Sequence, residues 1–293
     1  ASHWLLYAGI GQNWGTVTVN YIMRAGLVRA AVSSGNPLVL GYLLSIALGF
    51  WLYLRRFVKS RSIEIGVTCV LLLGLIAAYS RGPWAGALVI LFSFAVIGPR
   101  AAPRLVRVAL ATTLVVGLIL ISPLGNRIAK VIPFMGGEVG AYNITYRERL
   151  LSRSVEMVRG HPWFGNQNAY SELQDLRQGV GVIDFVNTYA DVAVFYGLVG
   201  LALFVSFILV GLFKVCLVSK LAIWDTSVAT LSASIGACII GTLLMIYTSS
   251  FIFGFAIMFY VLGGLSSACA SLKEATRARA ITPSKLHTSV GSS

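Results

Sequence analysis

Long apolar runs separated by short polar clusters occupy most of this chain, and they set its architecture before any single residue is considered. Runs of about 17–25 residues with scarcely a charge are long enough to cross roughly 30 Å of hydrocarbon as helix. Seven such segments are predicted: Pro37–Leu54, Ile63–Tyr79, Pro83–Gly98, Leu105–Ser122, Tyr189–Phe213, Thr226–Tyr247 and Phe251–Ala270. Each must be helical, because lipid offers no partner to the backbone of an open strand. The expected fold is an all-α, polytopic membrane protein with about seven transmembrane helices and one large outer loop.

Composition agrees. Of 293 residues, 57% are hydrophobic and 11% charged, with a mean hydropathy of +0.82, which excludes a soluble domain of this size. The net charge of +13 gathers where alternate spans end. Arg55, Arg56, Lys59 and Arg61 follow the first span, and Arg100, Arg104 and Arg107 the third. Lys214 and Lys220 follow the fifth, and Lys273, Arg277, Arg279 and Lys285 the seventh. These ends are predicted to be cytoplasmic. The charge is a topology signal, and no nucleic-acid partner is implied. Cys69, Cys216, Cys238 and Cys269 lie in or beside apolar spans, so neither a disulfide framework nor a metal cluster is expected. The chain opens at Ala1 on what reads as an outer loop, and N-terminal truncation is expected. Its predicted divisions are 1–122 (an outer segment and four spans), 123–188 (the periplasmic loop with an amphipathic helix), 189–270 (three spans) and 271–293 (a basic cytoplasmic tail).

Within the loop, Thr145-Tyr146-Arg147-Glu148 has the form of a capping box, predicting a helix of about 15 residues that ends at Gly160 before His161-Pro162. At 100° per residue, Leu150, Leu151, Ser154 and Val158 share one face, opposite Arg149, Arg153 and Glu156. Arg147 falls on the apolar stripe in the first turn. A guanidinium beside free backbone N–H groups there makes an anion site; the alternative is an ion pair with Glu148 or Glu138. Arg149 and Arg153 read as the solvated face.

Arg81, in Ser80-Arg81-Gly82-Pro83-Trp84, stands where two spans meet. It either snorkels to the headgroups or holds an anion, and the Gly82-Pro83 turn gives it a fixed place. Asp184, Asn187 and Asp191 recur at i, i+3 and i+7, one side of a helix, where a carboxylate can take a proton from a hydroxyl. Asp184 or Asn187 alone reads as an N-cap. Asp191, one turn into the span, is harder to explain as a cap and is a catalytic candidate with Asp184. His161 reads first as a partner of the helix C-terminus and second as a catalyst. Neither metal-ligand spacing nor a glycine-rich phosphate loop is present, so no metal or cofactor is expected.

Three stretches together resemble the O-antigen ligase and O-antigen/exopolysaccharide polymerase superfamily of bacterial membrane glycosyltransferases. The first is Arg29-Ala30 followed by Gly35-Asn36-Pro37-Leu38, and the second is Ser80-Arg81-Gly82-Pro83-Trp84. The third is the order Arg147, Pro162-Trp163-Phe164-Gly165, Asn187-Thr188-Tyr189 and Gly197-Leu198-Val199-Gly200-Leu201. The resemblance implies a glycosyltransferase of the class C type in the bacterial inner membrane, active on its periplasmic face. It implies a polyprenyl-diphosphate-linked oligosaccharide donor, a glycan acceptor and polysaccharide assembly or chain-length partners. By position, Arg81 and Arg147 become diphosphate ligands and Arg29 a third, with Asn187, Tyr189 and His161 positioning the acceptor or the loop. Ligases of the family carry a histidine directly before the loop asparagine, where this sequence has Val186. The expectation therefore moves towards an inverting, metal-independent polymerase of repeat units, with ligation to a lipid A-core acceptor as the alternative. From another class, a lipid-linked sugar transporter or flippase would carry ionisable groups or Gly/Pro breaks at mid-span; here those positions are apolar.

Overall fold

The computed structural model describes residues 23–24, 27–30, 36–98, 103, 138–176, 185–221, 226–249 and 253–281. The predicted span Leu105–Ser122 and the candidate Asp184 lie outside the described residues. Seven helices of four turns or more are described: α1 Pro37–Leu54, α2 Arg61–Ala77, α3 Arg81–Ile97, α4 Glu138–Gly160, α5 Thr188–Leu221, α6 Thr226–Tyr247 and α7 Phe253–Ile281. Met23–Arg24 and Leu27–Val28 form a two-residue antiparallel ladder, a small departure from an all-α chain.

The six predicted apolar runs that fall in the described residues begin as helices within two residues of the expected position, although α5 and α7 continue well past their expected ends. In α1, the Asn36 side chain accepts from the Leu38 N–H at 2.8 Å and Pro37 occupies the first turn, where its missing N–H costs nothing. Pro37–Phe57, Thr188–Lys220 and Ser227–Tyr247 are long and apolar enough to cross a bilayer, and Arg81–Ile97 and Ala256–Ser271 are shorter apolar helices. An integral membrane helical protein follows. The count of seven spans does not follow from the described residues.

The central helix is α6, packed against α1, α3, α5 and α7; 78% of its apolar window is buried inside the protein, against 22% for α5. Its small residues Ser232, Ala233, Ser234 and Ala237 are fully buried and let neighbouring backbones approach closely, which is how helices gain contact where lipid removes the hydrophobic drive. The main core joins Tyr42, Ile46, Ile90, Phe94, Ile208, Ile235 and Met245.

The loop has a separate core of Tyr146, Leu150, Ala169, Leu173, Leu176, Phe185 and Val194. Two expectations for its helix are corrected. First, α4 starts at Glu138 rather than after Thr145 and runs 23 residues, so Thr145 is inside it and caps nothing. Extending a formed helix adds a hydrogen bond per residue, and that outweighs a local Thr-x-x-Glu signal. Second, Leu151 is 52% exposed. The buried face is narrower and runs through Tyr146, Leu150 and Ser154.

Helix α5 is two helices broken at Gly197 (φ 69, ψ −171). Tyr189 and Phe204 lie with ring centroids 6.2 Å apart, whereas fifteen residues of straight helix span about 22 Å. The half-helix 188–196 therefore turns sharply away from the crossing half 198–221. The turn Pro162–Gly165 fills the break. Leu198 N–H donates to the Pro162 carbonyl at 2.8 Å, Val199 N–H to the Trp163 carbonyl at 3.2 Å, and Asn166 N–H to the Val194 carbonyl at 2.8 Å. Each half of α5 thereby has backbone groups orphaned by the break satisfied from the loop.

Candidate functional site

The end of α6 collects side chains from across the chain. Carbonyls in its last turn and in the Thr248-Ser249 turn beyond it accept from other elements, in addition to the local Thr248 N–H bond to the Met245 carbonyl at 3.1 Å. Tyr189 Oη donates to the Leu243 carbonyl at 3.1 Å and Tyr42 Oη to that of Met245 at 3.1 Å. Thr188 donates to the Ser249 carbonyl through both N–H (3.1 Å) and Oγ1 (2.8 Å). Arg147 Nη2 donates to the Thr248 carbonyl at 3.3 Å. The negative end of the helix dipole favours a cation at this point.

The turn between α2 and α3 is seated against the same place. A Cβ on Gly82 would fall 2.8 Å from Thr248 Oγ1 and 3.4 Å from Tyr42 Oη, so the glycine allows the two turns to touch. Tyr79 adopts φ 45, a conformation that non-glycine residues rarely take. It is held by its N–H to the Ile76 carbonyl at 2.9 Å and by its ring at 6.0 Å from Trp84. Trp84 Nε1 donates back to the Leu75 carbonyl at 2.6 Å, and Ser45 Oγ to the Pro83 carbonyl at 2.9 Å. Arg81 is consequently fixed in place: it is half-buried, and its Nε is shielded from solvent. It opens α3, whose first turn holds no acidic residue and whose N-cap Ser80 makes no side-chain capping bond. A guanidinium at the positive end of a helix is the arrangement an anion relieves.

Arg29 joins this end of the bundle through its Nε, which donates to the Ala78 carbonyl at 3.1 Å beside the Ala30 N–H bond to Ala77 (2.9 Å). It caps the C-terminus of α2. Arg147 does not lie on the buried stripe of α4: it is exposed, beside buried Tyr146, and is the tenth residue of a 23-residue helix. The helix N-terminus expected at Arg147 lies nine residues earlier, at Glu138, so no free first-turn N–H groups stand beside it. What Arg147 has instead is proximity to the α6 end.

Asn187 is an N-cap, its Oδ1 accepting from the Tyr189 N–H at 3.0 Å. Asp191 follows one turn later, half-buried, in the half-helix tied to Ser249. Tyr189 packs inward. Val186, preceding Asn187, packs on the loop core. His161 is exposed and lies at the other end of α4, about 21 Å along the helix from Arg147; it is not brought to the arginines. Arg153 pairs with Glu156 at 3.0 Å on the exposed face. The residues that sequence reasoning missed are Tyr42, Thr248 and Ser249; the only signal was hydroxyls clustered at the end of an apolar run.

Residues 66–205 match the family model for O-antigen ligase. This segment is similar to the O-antigen ligase family. It takes in Arg81, Arg147, the Pro162–Gly165 turn and the break at Gly197, and leaves out Arg29 and the α6 end. No curated protein matches the chain. The family works in O-antigen ligase- and polymerase-type glycosyl transfer, which implies a lipid-linked sugar donor and a glycan acceptor in a membrane.

Proposed function

We propose that this protein polymerises O-antigen or exopolysaccharide repeat units carried on polyprenyl diphosphate, at the periplasmic face of the bacterial inner membrane. The observation that carries the reading is Arg81. It is half-buried at the uncapped start of α3 and seated against the turn to which Arg147 of the loop helix donates. Two arginines and a helix N-terminus brought to the same end of the bundle suit a diphosphate. They would stabilise the charge that develops on polyprenyl diphosphate as its bond to the anomeric carbon breaks. The acceptor hydroxyl attacks that carbon from the opposite side, inverting it, and gives its proton to a carboxylate; Asp191 and Asp184 are the candidates. Arg29 contributes charge while capping α2, and no metal is invoked.

The family description favours a second reading, transfer to a lipid A-core acceptor. Val186 weighs against it, because the position that holds a histidine in the ligases is here part of the loop core. The test is to incubate the full protein in proteoliposomes with lipid-linked repeat units and to size the product. A ladder of lengthened lipid-linked glycan supports polymerisation. Single-step transfer to added core acceptor supports ligation, and sugar movement across the bilayer without lengthening would overturn both.

A further inference from the structure

Trp163, Phe164 and Tyr196 are 67%, 78% and 63% exposed. They cluster because the Pro162–Gly165 turn is hydrogen-bonded into the break of α5. Three large aromatic side chains turned outward at a rigid junction are costly in water, and each would gain by burial. Their height relative to the bilayer can be estimated from α5 itself. The crossing half runs from Leu198 towards Lys214 and Lys220, both exposed, and these lysines mark the opposite headgroup layer. Twenty residues of helix cover about 30 Å, the thickness of the hydrocarbon core. Counting back twenty from Lys220 reaches Gly200, and from Lys214 reaches Val194. Gly197 falls midway, so the break marks the hydrocarbon boundary.

The middle of α4 lies at the same level. Arg147 meets Thr248, one residue past the apolar span Ser227–Tyr247, and Tyr247 is itself 57% exposed. From Arg147 to Gly160, then, α4 lies along the bilayer surface, with Arg149, Arg153, Glu156 and Arg159 exposed. Beyond the break the apolar exposure continues without interruption through Leu198, Val199 and Leu203, the lipid-facing side of the crossing helix.

We propose that Trp163, Phe164 and Tyr196 form a membrane-interface anchor: the loop is fastened to the outer headgroup–hydrocarbon boundary, where the amphipathic rings of Trp and Tyr settle. The occupant of this aromatic surface is the lipid bilayer, because the surface is continuous with the lipid face of α5. The anchor fixes the C-terminal end of α4 in height while the α6 end fixes Arg147. This assignment is independent of the reaction catalysed.

Trp163 fluorescence tests it in the full protein in vesicles. The difference between wild type and Trp163→Phe isolates this one tryptophan among the six. With lipids brominated at the shallow 6,7 positions, the Trp163 signal falls at least two-fold, while aqueous iodide leaves it nearly unchanged. In the Trp163→Phe background, Phe164→Trp gives the same pattern. Quenching by iodide but not by bromolipid overturns the anchor in favour of a solvent-facing turn. Quenching by neither overturns it in favour of a protein contact.

Discussion

Replacing Gly197 by alanine should release the loop from the membrane domain while leaving the bundle folded. At φ 69, ψ −171 the residue occupies a region that is essentially glycine-only and costs about 1–3 kcal/mol for other residues. The new Cβ would also collide with backbone atoms of Trp163 and Phe164, which cannot swing aside as a flexible side chain does. Relief requires the turn to withdraw, losing the three bonds at Leu198, Val199 and Asn166 at about 1 kcal/mol each, and more where freed groups face lipid. The expected cost is at least about 3 kcal/mol, a rise of about 100-fold in the undocked population. Hydrogen exchange of the purified protein in lipid reads this directly: the Leu198 and Val199 amides should lose about two orders of magnitude of protection, while α6 amides keep theirs. Gly165→Ala should act alike, since its Cβ would fall 2.5 Å from the Phe195 carbonyl carbon, and the double variant should add little because both break one junction. Gly66→Ala, where a Cβ meets nothing within 4 Å, is the control. Unchanged Leu198 and Val199 protection in Gly197→Ala would refute the interlock.

Other substitutions separate scaffold from chemistry. Arg81→Ala should leave a folded protein and abolish polymer. Arg81→Lys should lower turnover by about 10²–10³-fold if bidentate contact in the transition state is lost, and full activity in Arg81→Lys, measured by product sizing, would count against that contact. Asn187→Ala should cost about 1 kcal/mol of thermal stability and Asn187→Ser far less, because the cap survives; an activity lost in both with stability restored only in the serine variant would mark a contact to the acceptor. Asp191→Asn should retain binding of the lipid-linked donor, measured by co-sedimentation with the purified protein, and lose transfer; unaltered transfer would leave Asp184 as the candidate.

The helices were legible because period and length are local. Apolar runs between basic clusters marked α1 and α6 at their observed bounds, and Asn36-Pro37 announced its own cap. Arg81 was legible as a cation where two apolar runs meet, but the expected Gly82-Pro83 turn was not found: both residues lie in the first turn of α3, and the chain reverses at Ala78–Tyr79 instead. Two features escaped. The start of α4 was misplaced because a capping box competes with helix propagation, and only the loop core of Tyr146, Leu150 and Val194 shows which prevails. The partners of Arg147 escaped because Thr248 is 101 positions away, and nothing local to either residue encodes that distance. The pairing of Pro162–Gly165 with Gly197 lay between: both glycines were visible, but their mutual contact is a property of the folded chain.

Arg147 and the loop core hold α4 in different ways, and this separates ligand contact from loop docking. The bond from Arg147 to the Thr248 carbonyl is 3.3 Å long, beyond the usual 2.7–3.2 Å range for N–H···O, and the side chain is exposed. Its loss should cost less than about 1 kcal/mol. Tyr146 is 8% exposed and packs with Leu150, Leu173 and Phe185, so Tyr146→Ala should cost about 3 kcal/mol or more by leaving a void. On the proposed reading a phosphate oxygen replaces the neutral carbonyl as the partner of Arg147, and a charge-assisted bond is roughly twice as strong. Arg147→Ala and Tyr146→Ala should therefore both lose transfer, by different routes. Limited proteolysis tells them apart: Arg147→Ala should keep the wild-type digestion rate of the loop, whereas Tyr146→Ala should raise it by about 100-fold. Equal digestion in the two variants would mean that Arg147 holds the loop rather than the ligand.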